Sequence, residues 1–189
     1  ESMKTIAYEI IEQMSWNAPD WYIQAVSGGL GPLGVYQGFK ELFNTGLINR
    51  IPKLAIIQAA GCAPMVNAFK AGKDVAEAII PETSIIILST GDPGKMYTYL
   101  WKLTQQYGGV MESVSDLEAY SAMRSLAKSE GMAVEPATAV AFAGLEKLSK
   151  QGVIGKDELV AVNCTGHTFP VEKHVLGEQW HVDVHLSDD

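Results

Sequence analysis

Residues 24–39 read QAVSGGLGPLGVYQGF. An apolar run from Trp21 to Val26 leads in, and four glycines follow within seven positions: Gly28, Gly29, Gly31 and Gly34. A helical pattern begins at once. A strand, a glycine turn and a helix start together form an anion site. The first amides of a helix have no partner within it, and its dipole places partial positive charge there. Glycine removes the β-carbons that would hold a phosphate away, and Pro32 suits a first helical turn. In open parallel sheets, ligands sit beyond the carboxyl ends of the strands, where such a loop lies.

The motif is not a Walker loop, because no G-K-[ST] follows. Gly29, Gly31 and Gly34 have the spacing G-x-G-x-x-G, but the next strand reads KLAIIQAAG and ends without the acidic residue that a dinucleotide ribose needs. A tight turn that holds no ligand is the alternative reading of the same pattern.

Outward from this loop, the periodicity predicts helices over 3–14, 33–47, 62–72, 95–107 and 116–128, and another starting at Pro136. Ser115 and Glu118 have the spacing of a capping box. Strands are predicted at WYIQAV, PKLAIIQAA, TSIIILS, GGVMESV and ELVAVNCTGH. Their alternation with helices, and their near-continuous apolar character, predict an α/β fold: a mainly parallel sheet with helices on both faces.

The 189 residues are enough for one domain, 47% apolar and 19% charged, which favours a folded globular chain. A formal net charge of -8 argues against nucleic acid as a partner, since phosphate neutralisation needs clustered Lys and Arg. No apolar run reaches the roughly 18 residues of a membrane span. The opening ESMKTIAYEI has no signal-peptide pattern. Cys62 and Cys164 stand far apart and fit a reducing compartment. A cytoplasmic location is the expectation.

Six segments, in order, resemble threonine synthase of the pyridoxal-phosphate superfamily that includes tryptophan synthase β. KTIAYEIIEQM is similar to the helix that follows that family's small domain. VSGGLGPLGVYQGFKEL resembles its V-G-G-G-G-N-x-x-G phosphate loop. IQAAGCAPMVNAF, PETSIIILSTGDP, EGMAVEPATAVAFAGLEKL and VNCTGH resemble its Q-A-x-G-x-x-P, P-E-T…G-N-P, E-P-A-S-A and L-T-G-H segments. The resemblance covers Glu1 to about Pro170 and implies the large-domain portion of that fold. Residues 171–189 are then a tail.

It also implies pyridoxal 5'-phosphate as cofactor. Ser27, Gly28, Gly29, Leu30 and Gly31 would hold its phosphate. Thr165 would donate a hydroxyl hydrogen bond to the pyridine nitrogen, and Gly166 would let the turn approach the ring. A neutral hydroxyl there would leave that nitrogen unprotonated. The implied reaction converts O-phosphohomoserine and water to threonine and phosphate, with an amino-acid substrate and a homodimeric enzyme.

Departures accompany the likeness. The family's Schiff-base lysine, within S-x-K-D-R, has no counterpart: Lys40 and Lys95 stand in other contexts. No catalytic residue is therefore expected here, and the chain reads as a portion of a longer protein, inactive alone. Ile85, Ile86 and Ile87 replace small residues beside the ring. Leu30 replaces a glycine, and Gly31 an asparagine. A cysteate synthase-like enzyme acting on phosphoserine and sulfite, or a non-catalytic binding domain, are the alternatives.

Among other residues, His181, Asp183 and His185 alternate as metal ligands on a strand would, against the reading of a solvated tail. His167 would orient the Thr165 turn or contact phosphate, or simply make a structural hydrogen bond. Glu135 precedes a helix start and is expected to cap it, or else to lie near the ring. Cys164 is expected to be buried filler.

Overall fold

The computed structural model describes residues 1–168. The strands are β1 (Trp21–Ala25), β2 (Lys53–Ala59), β3 (Gly109–Val114) and β4 (Val160–Val162). All pair in parallel, in the order β3-β2-β1-β4. The helices are α1 (Lys4–Gln13), α2 (Leu30–Asn44), α3 (Pro64–Lys70), α4 (Lys95–Tyr107), α5 (Asp116–Ser129) and α6 (Pro136–Lys150). The parallel α/β architecture predicted above is what forms.

Alternation along β1 shows why the sheet is buried on both sides. Tyr22 and Val26 face a core built from α1 to α4, with Ile11, Phe39, Met65 and Leu100. Trp21, Ile23 and Ala25 face a second core built from α5 and α6, with Ala119, Met123 and Val140. Each fully buried side chain contributes about 1.5–3 kcal/mol relative to exposure, so both faces are needed to hold the strands.

The topology places the site. From β1 to β2 and on to β3 the chain steps in one direction, with α2, α3 and α4 on one face. From β3 it crosses back to the far side of β1, and α5 and α6 lie on the other face. Right-handed crossovers require that change of face when the direction reverses. The reversal lies between β1 and β4. The carboxyl ends of two such strands diverge into helices on opposite faces and leave a crevice, which is where ligands bind in folds of this kind.

Two predicted elements change. TSIIILS is not a strand: Ile86–Leu88 form one 3-10 turn. Ile85 and Leu88 point inward at 3% and 5% exposure, while Ile86 and Ile87 are 80% and 66% exposed. That is a period of three, not two. The cause is Asp116 at the start of α5. Its carboxylate accepts the Thr83 hydroxyl at 2.7 Å and both the amide and hydroxyl of Ser84 at 2.6 Å. Polar groups at the head of this segment are thus engaged by a side chain.

Helix α2 begins at Leu30, three residues before the predicted Leu33. Gly29 takes φ 87°, ψ 7° as its N-cap. This left-handed conformation suits glycine alone among common residues without strain. Other predictions hold. Ser115 and Glu118 form the reciprocal capping box, and Pro136 opens α6.

Candidate cofactor site at the switch between β1 and β4

The two turns singled out by sequence close the neighbouring strands β1 and β4. The register pairs Ile23 with Val162, and the Asn163 amide donates to the Ile23 carbonyl at 2.9 Å. Residues 26–31 and 163–166 therefore leave the same edge of the sheet, from strands about 4.8 Å apart.

In the first turn, the Val26 amide still donates to Ile57 at 2.9 Å, in the manner of the sheet. After it the pattern stops. The amides of Ser27, Gly28 and Gly29 donate to no acceptor among the described residues, and no side chain caps α2. Three successive unpartnered amides at a helix start supply donors and a favourable dipole for an anion. The residues present thus fit a phosphate group. The Ser27 and Thr90 hydroxyls bond to each other at 2.5 Å beside Gly28. Leu30 projects outward at 65% exposure.

The glycines divide by role. A β-carbon on Gly28 would meet only Thr90, at an ordinary 3.7 Å, so this position stays open. On Gly29 it would lie 2.6 Å from Leu100 Cδ1, and on Gly31 2.5 Å from Gln24 Nε2. Gly34 lies in the same way against Met3. The sequence explanation, room for a phosphate, therefore accounts for Gly28 alone. The other three glycines make room for side chains of the protein itself.

Gln24 connects the two turns. Its Oε1 accepts the Tyr22 hydroxyl at 2.8 Å, and that hydroxyl accepts the Asn163 side-chain amide at 3.0 Å. Tyr22 is fully buried and Gln24 is 7% exposed. Burial raises the phenol far above its usual pKa, more than the Asn163 bond lowers it, so Tyr22 remains a neutral donor. This buried chain ties β1 to the threonine turn, and Gln24 packs beside Gly31 of the glycine turn. Sequence reasoning missed it, treating WYIQAV as a plain apolar run. The amide of Gln24 inside that run was the available signal.

The second turn is saturated with hydrogen bonds. Thr138, fully buried in the first turn of α6, donates to the Gly166 carbonyl and accepts from the Gly166 amide, each at 3.0 Å. The Thr165 hydroxyl lies 3.0 Å from Thr138 Oγ1 and donates to Glu135 Oε1 at 3.0 Å. The Glu135 amide donates to the Gly166 carbonyl at 3.2 Å. Val134 and His167 form an antiparallel bridge, so the turn is stitched to the approach of α6. A β-carbon on Gly166 would meet the Glu135 carboxyl carbon at 2.7 Å.

Several expectations change here. The side chain of Glu135 makes no capping bond to α6; it faces Thr165 instead. Cys164 is exposed rather than buried filler, and burial of the thiol that remains raises its pKa, which argues against a nucleophile. Cys62 is buried. His181, Asp183 and His185 lie outside the described residues. Among the described residues no group of His, Cys, Asp and Glu could hold a metal ion, and no helix is long and apolar enough to cross a membrane.

The 85–90 segment completes the surround. Thr90 reaches Ser27. Ile85, Ile86 and Ile87 share with Glu135, Pro136 and Tyr120 a hollow of about 270 Å³. Glycine turn, isoleucine segment, Glu135 and Thr165 are thus linked in sequence around one edge of the sheet.

An open parallel sheet with a glycine turn at its switch point is an architecture in which ligands sit beyond the carboxyl ends of the strands. Residues 1–166 match the family described as pyridoxal-phosphate dependent enzymes, and the chain belongs to that family. It is 40% identical to the threonine synthase of Methanocaldococcus jannaschii over 88% of this chain and 41% of that protein. It is 31% identical to the cysteate synthase of Methanospirillum hungatei, over 78% of this chain and 37% of that one. The processed form of threonine deaminase isoform 2 from Solanum lycopersicum superposes with a TM-score of 0.70 at 18% identity, covering 90% of this chain and 46% of that one. The last likeness speaks to fold alone. The chain spans about two fifths of the length of the curated relatives it matches.

Proposed function

We propose that this chain supplies the phosphate-binding turn and the ring-nitrogen partner of a pyridoxal-phosphate lyase of threonine synthase type. The whole protein would convert O-phosphohomoserine and water to threonine and phosphate. The observation that carries the reading is the row of three amides, Ser27 to Gly29, without an acceptor among the described residues, at the switch point and one strand from the Thr165 turn. The 40% identity to a threonine synthase supports the same substrate class.

When bound, pyridoxal phosphate supplies an electron-withdrawing ring that stabilises negative charge at the substrate's α-carbon. The residues of this chain bind and orient it. The Ser27–Gly31 turn would receive the phosphate and the Thr165 hydroxyl would meet the ring nitrogen. The lysine that anchors the cofactor in the family has no match among these residues, so proton transfer at the α-carbon would fall to the rest of the protein.

Two measurements test this. Titrating the chain with pyridoxal phosphate should produce a saturable change in the ligand's ³¹P resonance, abolished in Gly29→Val; an unchanged resonance sinks the cofactor site. Assaying the protein at its natural length with phosphohomoserine should release phosphate and threonine. The cysteate synthase reading, supported by the 31% identity, wins if phosphoserine and sulfite react instead.

A further inference from the structure

We propose that Gln24 is a further donor of the phosphate site: its carboxamide fills the place of the side chain absent at Gly31 and turns Nε2 toward the bound phosphate. This rests on the reading of the glycine turn as a phosphate site given above. It adds a side chain to a turn otherwise built of backbone.

On β1, Gln24 alternates with Tyr22 and Val26, which face the core built from α1 to α4. The first turn of α2 lies against it. A β-carbon on Gly31 would stand 2.5 Å from Gln24 Nε2, 3.4 Å from Cδ and 3.5 Å from Oε1. The whole carboxamide therefore occupies the space in which a side chain at position 31 would begin. Side chains of an α-helix lean toward its N-terminus. That space therefore opens toward Ser27, Gly28 and Gly29, whose amides have no acceptor among the described residues. Beneath Gly29 the neighbours are apolar, Leu100 and Met65. The motif that this loop resembles has an asparagine where this chain has Gly31. One carboxamide is missing at position 31, and another is supplied from position 24.

The hydrogen bonds decide which end of the carboxamide faces the turn. Tyr22 has one hydroxyl proton. The Asn163 side-chain amide donates to that hydroxyl at 3.0 Å, so the proton goes on to Gln24 Oε1 at 2.8 Å. Oε1 is thereby held at Tyr22, and Nε2 is left toward Gly31. Nε2 has no acceptor among the described residues. Gln24 is 7% exposed, yet the sealed side-chain nitrogens without a partner are Trp21 Nε1 and Gln58 Nε2 among the described residues. Gln24 Nε2 thus keeps an opening. A nearly buried donor without an acceptor is costly, and an anion at the turn removes that cost.

The test uses 4′-deoxypyridoxine 5′-phosphate, which lacks the aldehyde and cannot condense with surface lysines. Its ³¹P resonance gives Kd for the native chain, for Gln24→Met, and for Gln24→Ala paired with Gly31→Asn. Methionine keeps the length and removes the donor. The pair moves a carboxamide back to position 31. Gln24→Met should bind about three- to tenfold more weakly, the net effect of one hydrogen bond, and the pair should return to within about twofold of the native Kd. A glutamine that only packs would lower Tm and leave Kd unchanged in Gln24→Met; that result overturns the proposal. A pair that binds no tighter than Gln24→Met overturns it as well. If Gln24→Met does not fold, the pair decides alone, and a Kd more than about tenfold above the native value overturns the proposal. No saturable ³¹P change in the native chain overturns the phosphate site, and the proposal with it.

Discussion

The glycine turn at 27–31 and the threonine turn at 163–168 close adjacent strands, yet they leave their polar groups in opposite states. In the first, three consecutive amides have no acceptor among the described residues. In the second, both backbone groups of Gly166 and the hydroxyls of Thr138 and Thr165 are engaged. The first turn is a set of donors open to an acceptor from outside. The second is assembled in advance from the protein's own groups.

The sharpest way to break the contrast is at Gly29. Valine there must hold φ near 87° with its β-carbon against Leu100. Left-handed strain and overpacking together should cost about 2–5 kcal/mol, seen as a large fall in Tm along with loss of the ³¹P change. Next comes Thr138→Val. It keeps shape but leaves the Gly166 amide without its partner, at a cost of about 1–3 kcal/mol, while the carbonyl keeps the Glu135 amide. Thermal melts should show that loss, with the ³¹P change retained, because the glycine turn is untouched.

A smaller effect is expected at Thr90→Val, which removes the hydroxyl bonded to Ser27. Stability should fall by about 0.5–1.5 kcal/mol. Phosphate affinity should change only a few-fold, because the backbone amides remain; a complete loss would show that hydroxyls, not amides, hold the anion.

The smallest effect concerns Asp116, which pins the segment between the two turns. Burial raises its pKa, but the hydroxyls of Ser84 and Thr83 and the amide of Ser84 outweigh that and leave it below its ordinary value. A carboxyl depressed in the folded state contributes stability that is complete above its unfolded value. That contribution is lost as pH falls below roughly 4 and through the lower folded value. The gap in Tm between the native chain and Asp116→Asn should therefore be constant near neutrality and close in acid. A gap that widens in acid would contradict the bonding described.

Much of the fold was legible along the chain. Alternating periods revealed six helices and most of the strands, because two-sided burial leaves continuous apolar runs at Trp21–Val26 and Leu54–Ala59. Residues 83–89 misled for a physical reason. Three β-branched residues in a row satisfy strand propensity, but Asp116, some thirty positions away, captures Thr83 and Ser84 and imposes a turn. Propensity is local and that carboxylate is not. The candidate site was legible where motifs are backbone features, as at Ser27–Gly31 and Gly166. Thr138, Gln24 and Tyr22 passed unnoticed because their importance lies in partners 28, 7 and 141 positions distant.

By itself the amino-acid order settled the alternation of strands and helices, the glycine-rich helix start and the family, since each depends on residues close together along the chain. Only tertiary structure decided that β1 and β4 are neighbours, that three of the four loop glycines make room for the protein's own side chains, and that the Glu135 side chain faces Thr165. These depend on contacts between distant segments, where a difference of a few ångströms decides between a ligand's space and a side chain's.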